Sequence, residues 1–202
     1  MKTIGIVDYG RGNLRSVFKA LQFLGFEALI VNNPDKLKHC EKIILPGVGA
    51  FGDGMAQLEK LGFREALIER IEAGVPFLGI CLGLQLLFES SEESLGISGL
   101  SIFKGRVLRF QGDLKVPHMG WNQVAFAKDN ALTQNIPQNS YFYFVHSYFV
   151  KPESKEIIFG KTNYEIEFTS IIRKDNVCAV QFHPEKSQAL GLQFLKNWNN
   201  AC

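Results

Sequence analysis

One cysteine of the chain, Cys81, stands between glycines two residues to either side, in Gly79-Ile80-Cys81-Leu82-Gly83-Leu84-Gln85. It closes the apolar run Pro76-Phe77-Leu78-Gly79-Ile80 and opens a stretch of helical composition. A nucleophile at a strand-to-helix junction occupies a sharp, strained turn that tolerates no bulk at the flanking positions, which accounts for the glycines. The helix start would favour the thiolate over the thiol and leave free N–H groups for a developing oxyanion. A thiol nucleophile also needs a base, and of His39, His118, His146 and His183 the last is best placed. It ends the apolar run Val177-Cys178-Ala179-Val180-Gln181-Phe182 and is followed by Pro184 and Glu185. A carboxylate two residues away, on a chain stiffened by proline, can hold one ring nitrogen and leave the other facing the thiol. Cys81, His183 and Glu185 are therefore the candidate catalytic groups of an acyl transfer.

Other patterns point away from metals, disulfides and nucleotides. An H-x-E pair without further spaced ligands is a poor metal site, so no metal or other cofactor is expected. Cys40, Cys178 and Cys202 stand far apart with no C-x-x-C spacing, and Cys40 and Cys178 lie in or beside apolar runs where cysteine acts as a small hydrophobe. Pro46-Gly47-Val48-Gly49-Ala50-Phe51-Gly52 matches G-x-G-x-x-G in form. A dinucleotide fingerprint, however, follows the first strand and has an acidic residue closing a second strand about 20 positions on, whereas position 72 here falls in a helical segment. The expected role is a glycine loop that offers backbone N–H groups to an anionic intermediate.

The elements that must position these groups form one domain over residues 1–202, long enough to bury about 70 % of the unfolded surface. Residues 2–8, 42–46 and 76–80 read as buried parallel strands, with a helix over 14–24 and a further strand over 27–31 between the first two. A helical segment over 53–73, broken near Gly62, completes a β/α alternation up to residue 90. The fold class is therefore α/β, a doubly wound, mostly parallel sheet flanked by helices. The second half reads as additional antiparallel strands, over 104–110, 121–126, 141–150, 156–160, 166–173 and 176–182, closed by a helix over 187–198. The run from Lys115 to Asn122 is too polar and too rich in special residues for a simple strand, and its Trp121 is either an interface anchor or a core residue.

Composition narrows the partners. With 22 basic and 20 acidic side chains the net charge is +2, too small and too evenly spread for a dedicated nucleic-acid binder. No apolar run approaches the roughly 18 residues of a membrane span, and the N-terminal residues read as a first strand rather than a leader, so a cytoplasmic protein is expected.

Taken together, G-x-C-x-G-x-Q at 79–85, His183-Pro184-Glu185 after a strand, and the Pro46-Gly47 loop resemble the class I (triad) glutamine amidotransferases. Asp8-Tyr9-Gly10-Arg11-Gly12-Asn13, the segment Lys115 to Asn122, His146-Ser147-Tyr148 and Gln181 to Ser187 are similar, within that family, to the glutaminase subunits of imidazole glycerol phosphate synthases of histidine biosynthesis. The resemblance implies glutamine as substrate, a γ-glutamyl thioester on Cys81, and an oxyanion held by the N–H of Leu82 and one from Val48 or Gly49. It implies a glutamine pocket lined by Gln85, Ser147 and Tyr148, with Glu93 near the substrate amine. It further implies a heterodimer with a (β/α)₈-barrel cyclase that receives the ammonia, docked over Trp121 and the Asn13 loop. The Asn163 to Thr169 stretch and the serine-rich acidic loop at 89–101 depart from that subunit pattern. Paralogues that feed synthases aminating sugars or nucleotide-sugars would carry the same triad, and a stand-alone γ-glutamyl hydrolase would keep the elbow.

Overall fold

The computed structural model describes residues 3–112, 115–127 and 130–201; Lys2 of the expected first strand and Cys202 lie outside them. Apolar runs in the first half pair side by side. β1 (Ile4–Val7), β3 (Lys42–Gly47) and β4 (Phe77–Cys81) are buried throughout, and β2 (Ala28–Val31) forms the half-covered edge. All four run parallel, in the order β2-β1-β3-β4. The intervening helices leave on alternate faces. α1 (Leu14–Phe23) turns Val17, Ala20 and Leu21 inward and packs with Ile6, Ile44 and Ile80. α2 (Phe51–Lys60) and α3 (Phe63–Glu72) cover the other face through Met55, Leu58, Phe63 and Leu67. The break between them is Gly62, at φ +72, a left-handed turn that glycine enters without a Cβ penalty.

β12 (Val177–Val180) joins the two halves. It runs parallel to β4, with Val180 opposite Ile80, and antiparallel to β11 (Ile166–Lys174). Antiparallel pairing then continues through β10 (Ile158–Tyr164), β7 (His118–Phe126) and β8 (Ser140–His146). A side branch of β5 (Phe88–Ser91), β6 (Phe103–Arg109) and β9 (Tyr148–Pro152) meets β11 where Val150 pairs with Thr169. The last helix, α5 (Gln188–Ala201), buries Phe194, Leu195 and Trp198 completely, worth roughly 1.5–3 kcal/mol for each large apolar side chain. The architecture is a mixed sheet flanked by helices, as the alternation of the first half and the hairpins of the second require.

Four local expectations are corrected. The Lys115 to Asn122 run is strand from His118 onward, because alternate residues face opposite ways: His118, Val124 and Phe126 are buried while Met119, Trp121 and Gln123 are exposed. The single strand expected over 141–150 is two, broken at Ser147, where the chain leaves its partner β7 and turns to pair with β6. The strand expected over 156–160 begins later, at Ile158, because Lys155–Ile157 form a 3₁₀ turn. Finally, the start of the 89–101 loop belongs to β5. No described helix is long and apolar enough to cross a membrane.

Candidate active site

Strand register assembles the site at the carboxyl ends of β3, β4 and β12, where open α/β sheets bind ligands. Gly47 pairs with Cys81 on one side, and on the other the pairing of Val180 with Ile80 carries Gln181 alongside Cys81. Cys81 has φ +54 and ψ −108, a conformation that costs a non-glycine residue about 1–3 kcal/mol. Its flanking glycines are required by space. A Cβ on Gly83 would collide with the carbonyl oxygen of Leu45, and one on Gly79 would lie 2.7 Å from the carbonyl oxygen of Gly83. Both obstacles are backbone and cannot swing aside. Gly83→Ala should therefore destabilise the protein by about 3 kcal/mol or more, read as a lowered denaturant midpoint; a wild-type midpoint would refute the steric account.

The helix that follows, α4 (Leu82–Gln85), is a single turn. A macrodipole builds up only along successive aligned peptides, so α4 supplies little of the thiolate stabilisation expected of a helix start. Other groups surround the sulfur instead. The thiol donates to the carbonyl oxygen of Val145 at 3.9 Å, and Nε2 of Gln181 donates to the sulfur at 3.7 Å.

His183 and Glu185 are brought together by a 3₁₀ turn over Pro184–Lys186, which folds the carboxylate back onto the ring. Nδ1 of His183 lies 2.9 Å from Oε1 of Glu185, and both side chains are buried. The histidine backbone is pinned as well: its N–H donates to the Tyr143 carbonyl at 2.9 Å, and Ser187 Oγ donates to its own carbonyl at 2.7 Å. The other ring nitrogen, Nε2, is buried and carries no closed hydrogen bond, and the Cys81 sulfur is among the groups that act on this ring. Burial opposes charge on this imidazole. The sulfur of Cys81 and the carboxylate of Glu185 overcome it, and the pKa is pushed up to about 10. The resting state thus favours an imidazolium.

The same burial, acting without a nearby anion to offset it, keeps His118 and His146 neutral and makes them weaker bases than His183: their pKa values are lowered to about 4 and about 3. His146 Nδ1 lies 2.8 Å from the Tyr148 carbonyl oxygen and must carry the proton, so its Nε2 accepts from His118 Nδ1 at 3.0 Å.

A cavity of about 520 Å³ opens over the thiol, lined by Val48, Gly49, Ala50, Cys81, Leu82, Gln85, Glu93, Pro117, Val145, His146, Ser147 and Tyr148. Every residue assigned to the oxyanion loop or the substrate pocket from the sequence is among them. Two have additional tasks. Glu93 Oε2 accepts from the Phe51 N–H at 2.7 Å and so caps α2, whose own N-cap residue, Ala50, cannot. Gln85, almost wholly buried, donates through Nε2 to the Tyr148 carbonyl at 3.0 Å and to Oε1 of Gln181 at 3.2 Å. Asn13 and Trp121 stand outside the cavity. Asn13 is the N-cap of α1, and Trp121 is 45 % exposed on the face of the β7–β8 hairpin that also presents Met119 and Tyr141. The core reading of Trp121 is thereby removed.

Gln181, Val145 and His146 stand at the site without a role read for them from the sequence, although His146 and Gln181 belong to the segments quoted there and Val145 does not. Gln181 carried a positional signal as well, since two residues before His183 on an extended chain is the same face. Among the described residues no group of three or more His, Cys, Asp or Glu side chains could hold a metal ion.

Comparison with known proteins adds a family. The model of the class-I glutamine amidotransferases matches residues 5–199. The chain is 53 % identical to the imidazole glycerol phosphate synthase subunit HisH of Methanocaldococcus jannaschii, over 96 % of this chain and 97 % of that protein. It is 50 % identical to the HisH subunit of Moorella thermoacetica, over 98 % and 94 %. Among solved structures, PurLQS from Thermotoga maritima superposes with a TM-score of 0.78 at 20 % identity, covering 99 % of this chain and 98 % of that one, a likeness of fold alone.

Proposed function

This chain belongs to the class I glutamine amidotransferases, and from that premise we propose that it is the glutaminase subunit of an imidazole glycerol phosphate synthase, serving histidine biosynthesis. The observation that carries the reading is the buried Cys81, His183 and Glu185 cluster beside a cavity with ample room for glutamine, in a chain half identical to HisH subunits. The reading brings with it a single domain and a cytoplasmic location.

In this reading the Cys81 thiolate adds to the side-chain amide carbon of glutamine. The oxyanion is held by the N–H of Leu82 and one from Val48 or Gly49. As the C–N bond breaks, His183 gives its proton to the nitrogen and ammonia leaves, with a γ-glutamyl thioester on Cys81. The timing follows from charge. The thiolate is one of the groups that hold the proton on His183, so forming the S–C bond removes that anion and releases the proton. Water then adds to the thioester, His183 takes its proton, the thiolate departs and glutamate forms. Glu185 keeps the ring oriented throughout.

Ammonia released into solvent would be protonated and lost, which favours delivery to a partner. The partner of this proposal is a (β/α)₈-barrel cyclase seated on the exposed face bearing Met119, Trp121 and Tyr141. That face ends at Val145, opposite Met119, which lines the cavity. The Asn13 loop is its second contact. Its neighbour Gly12 packs against the Pro46 carbonyl, so pressure there reaches the oxyanion loop. Val48 lies between Gly47 and Gly49, the latter at φ +100, and such a peptide can turn either its carbonyl or its N–H inward. Docking that favours the second state by about 3 kcal/mol would raise the rate about a hundredfold.

The test is glutamine hydrolysis by the isolated chain and after addition of the cyclase with its acceptor bound. A low basal rate and strong stimulation are expected. Trp121→Ala should cut the stimulation about tenfold or more while affecting the basal rate much less. Full-speed hydrolysis by the isolated chain, unchanged by the cyclase, would overturn the coupled reading in favour of a stand-alone hydrolase.

A further inference from the structure

Gln181 is completely buried, yet its backbone N–H is already satisfied by the Ser170 carbonyl, so the sheet does not need its side chain. A buried amide without compensation is costly, and a leucine there would extend the core at no such cost. The side chain is instead locked in one orientation. The Tyr148 carbonyl can only accept, which fixes Nε2 of Gln85 as the donor facing it. That same nitrogen lies 3.2 Å from the Gln181 side chain, so the group presented to it is Oε1 and the NH₂ of Gln181 points at Cys81 Sγ, 3.7 Å away.

We propose that Gln181 is a further catalytic residue: its amide, oriented by Gln85, donates to the Cys81 sulfur and holds the thiolate for attack. The inference rests on the glutaminase reading for its reaction but on the contact alone for its chemistry. The opposite neighbour of the sulfur is the Val145 carbonyl, an acceptor that suits a thiol and repels a thiolate. Gln181 supplies a compensating donor, and a hydrogen bond to an ionised sulfur is stronger than one to a neutral thiol. Gln85, assigned to the substrate pocket, gains a second task as the positioning residue for Gln181.

The test reads the thiol directly. In the isolated full chain, the rate of Cys81 alkylation by iodoacetamide is followed across pH by mass spectrometry for wild type, Gln181→Met and Gln85→Met. Gln181→Met should slow alkylation near neutrality about tenfold, equivalent to moving the profile about one pH unit upward, and should lower kcat with KM nearly unchanged. Gln85→Met, which leaves Gln181 free to turn, should give a smaller shift in the same direction. A folded Gln181→Met with the wild-type profile overturns the proposal. Should that variant fail to fold, side-chain amide NMR of the wild type decides: the Gln181 NH₂ resonance must move when Cys81 is alkylated, and no movement overturns it. Alkylation needs neither glutamine nor a partner, so a protein that shows these shifts but fails to hydrolyse glutamine even with the cyclase and its acceptor present would refute the glutaminase reading and leave the contact standing.

Discussion

Replacing Cys81 by alanine or serine is expected to reduce glutamine hydrolysis by about 10⁴-fold or more while leaving the fold intact. Both substitutions are small, and the elbow's shape is set by the packing of Gly79 and Gly83 against backbone rather than by the thiol. Serine fails because a hydroxyl is a far weaker acid than a thiol and does not form the attacking anion near neutrality. A glutamine analogue bearing a diazoketone should label Cys81 and spare Cys40 and Cys178, each buried in an apolar cluster. The measurement is peptide mapping after labelling, with circular dichroism to check the fold. Modification of another cysteine with Cys81 untouched would remove the assignment.

Loss of His183 should be nearly as severe. His183→Asn keeps a polar side chain but can neither protonate the departing nitrogen nor take a proton from water, and activity should fall by about 10³-fold or more. Glu185→Gln should cost less, about 10- to 100-fold, since an amide oxygen can still accept from Nδ1 and preserve the ring's orientation. The pH profile separates the two tasks. Burial alone would depress the His183 pKa; the sulfur and Glu185 raise it instead, to about 10, so the imidazolium persists through neutrality and is lost as pH rises through that value. Removing the Glu185 charge must move the alkaline limb of kcat/KM to lower pH. A limb unmoved in Glu185→Gln would mean that the carboxylate does not hold the proton.

How far the site was legible depends on how far apart its members lie along the chain. His183 and Glu185 are two residues apart, and the elbow spans five, so residue type, glycine spacing and strand periodicity sufficed to name all three candidate catalytic groups. The β/α order of the first half was readable for the same reason: buried parallel strands declare themselves as continuous apolar runs. Even there, sequence could say that bulk is excluded but not by what. Gly83 is explained by the Leu45 backbone and Gly79 by the backbone of Gly83, packing facts that no local pattern contains. The antiparallel half was read less well because its strands change partners. The break at Ser147 exists only because β8 pairs with β7 and β9 with β6.

What the tertiary structure alone decided is who stands around the sulfur. Val145 is 64 residues from Cys81 along the chain and Gln181 is 100, and each arrives through the order and register of strands. Register follows from the whole sheet minimising exposed apolar surface at once, and periodicity within one segment cannot report it. The neutrality of His118 and His146 and the exposure of Trp121 are of the same kind. Burial is a property of what packs on a residue, so the sequence could single out His183 by its neighbours, and only the folded chain shows which other imidazoles are held neutral and on which side of the sheet the tryptophan lies.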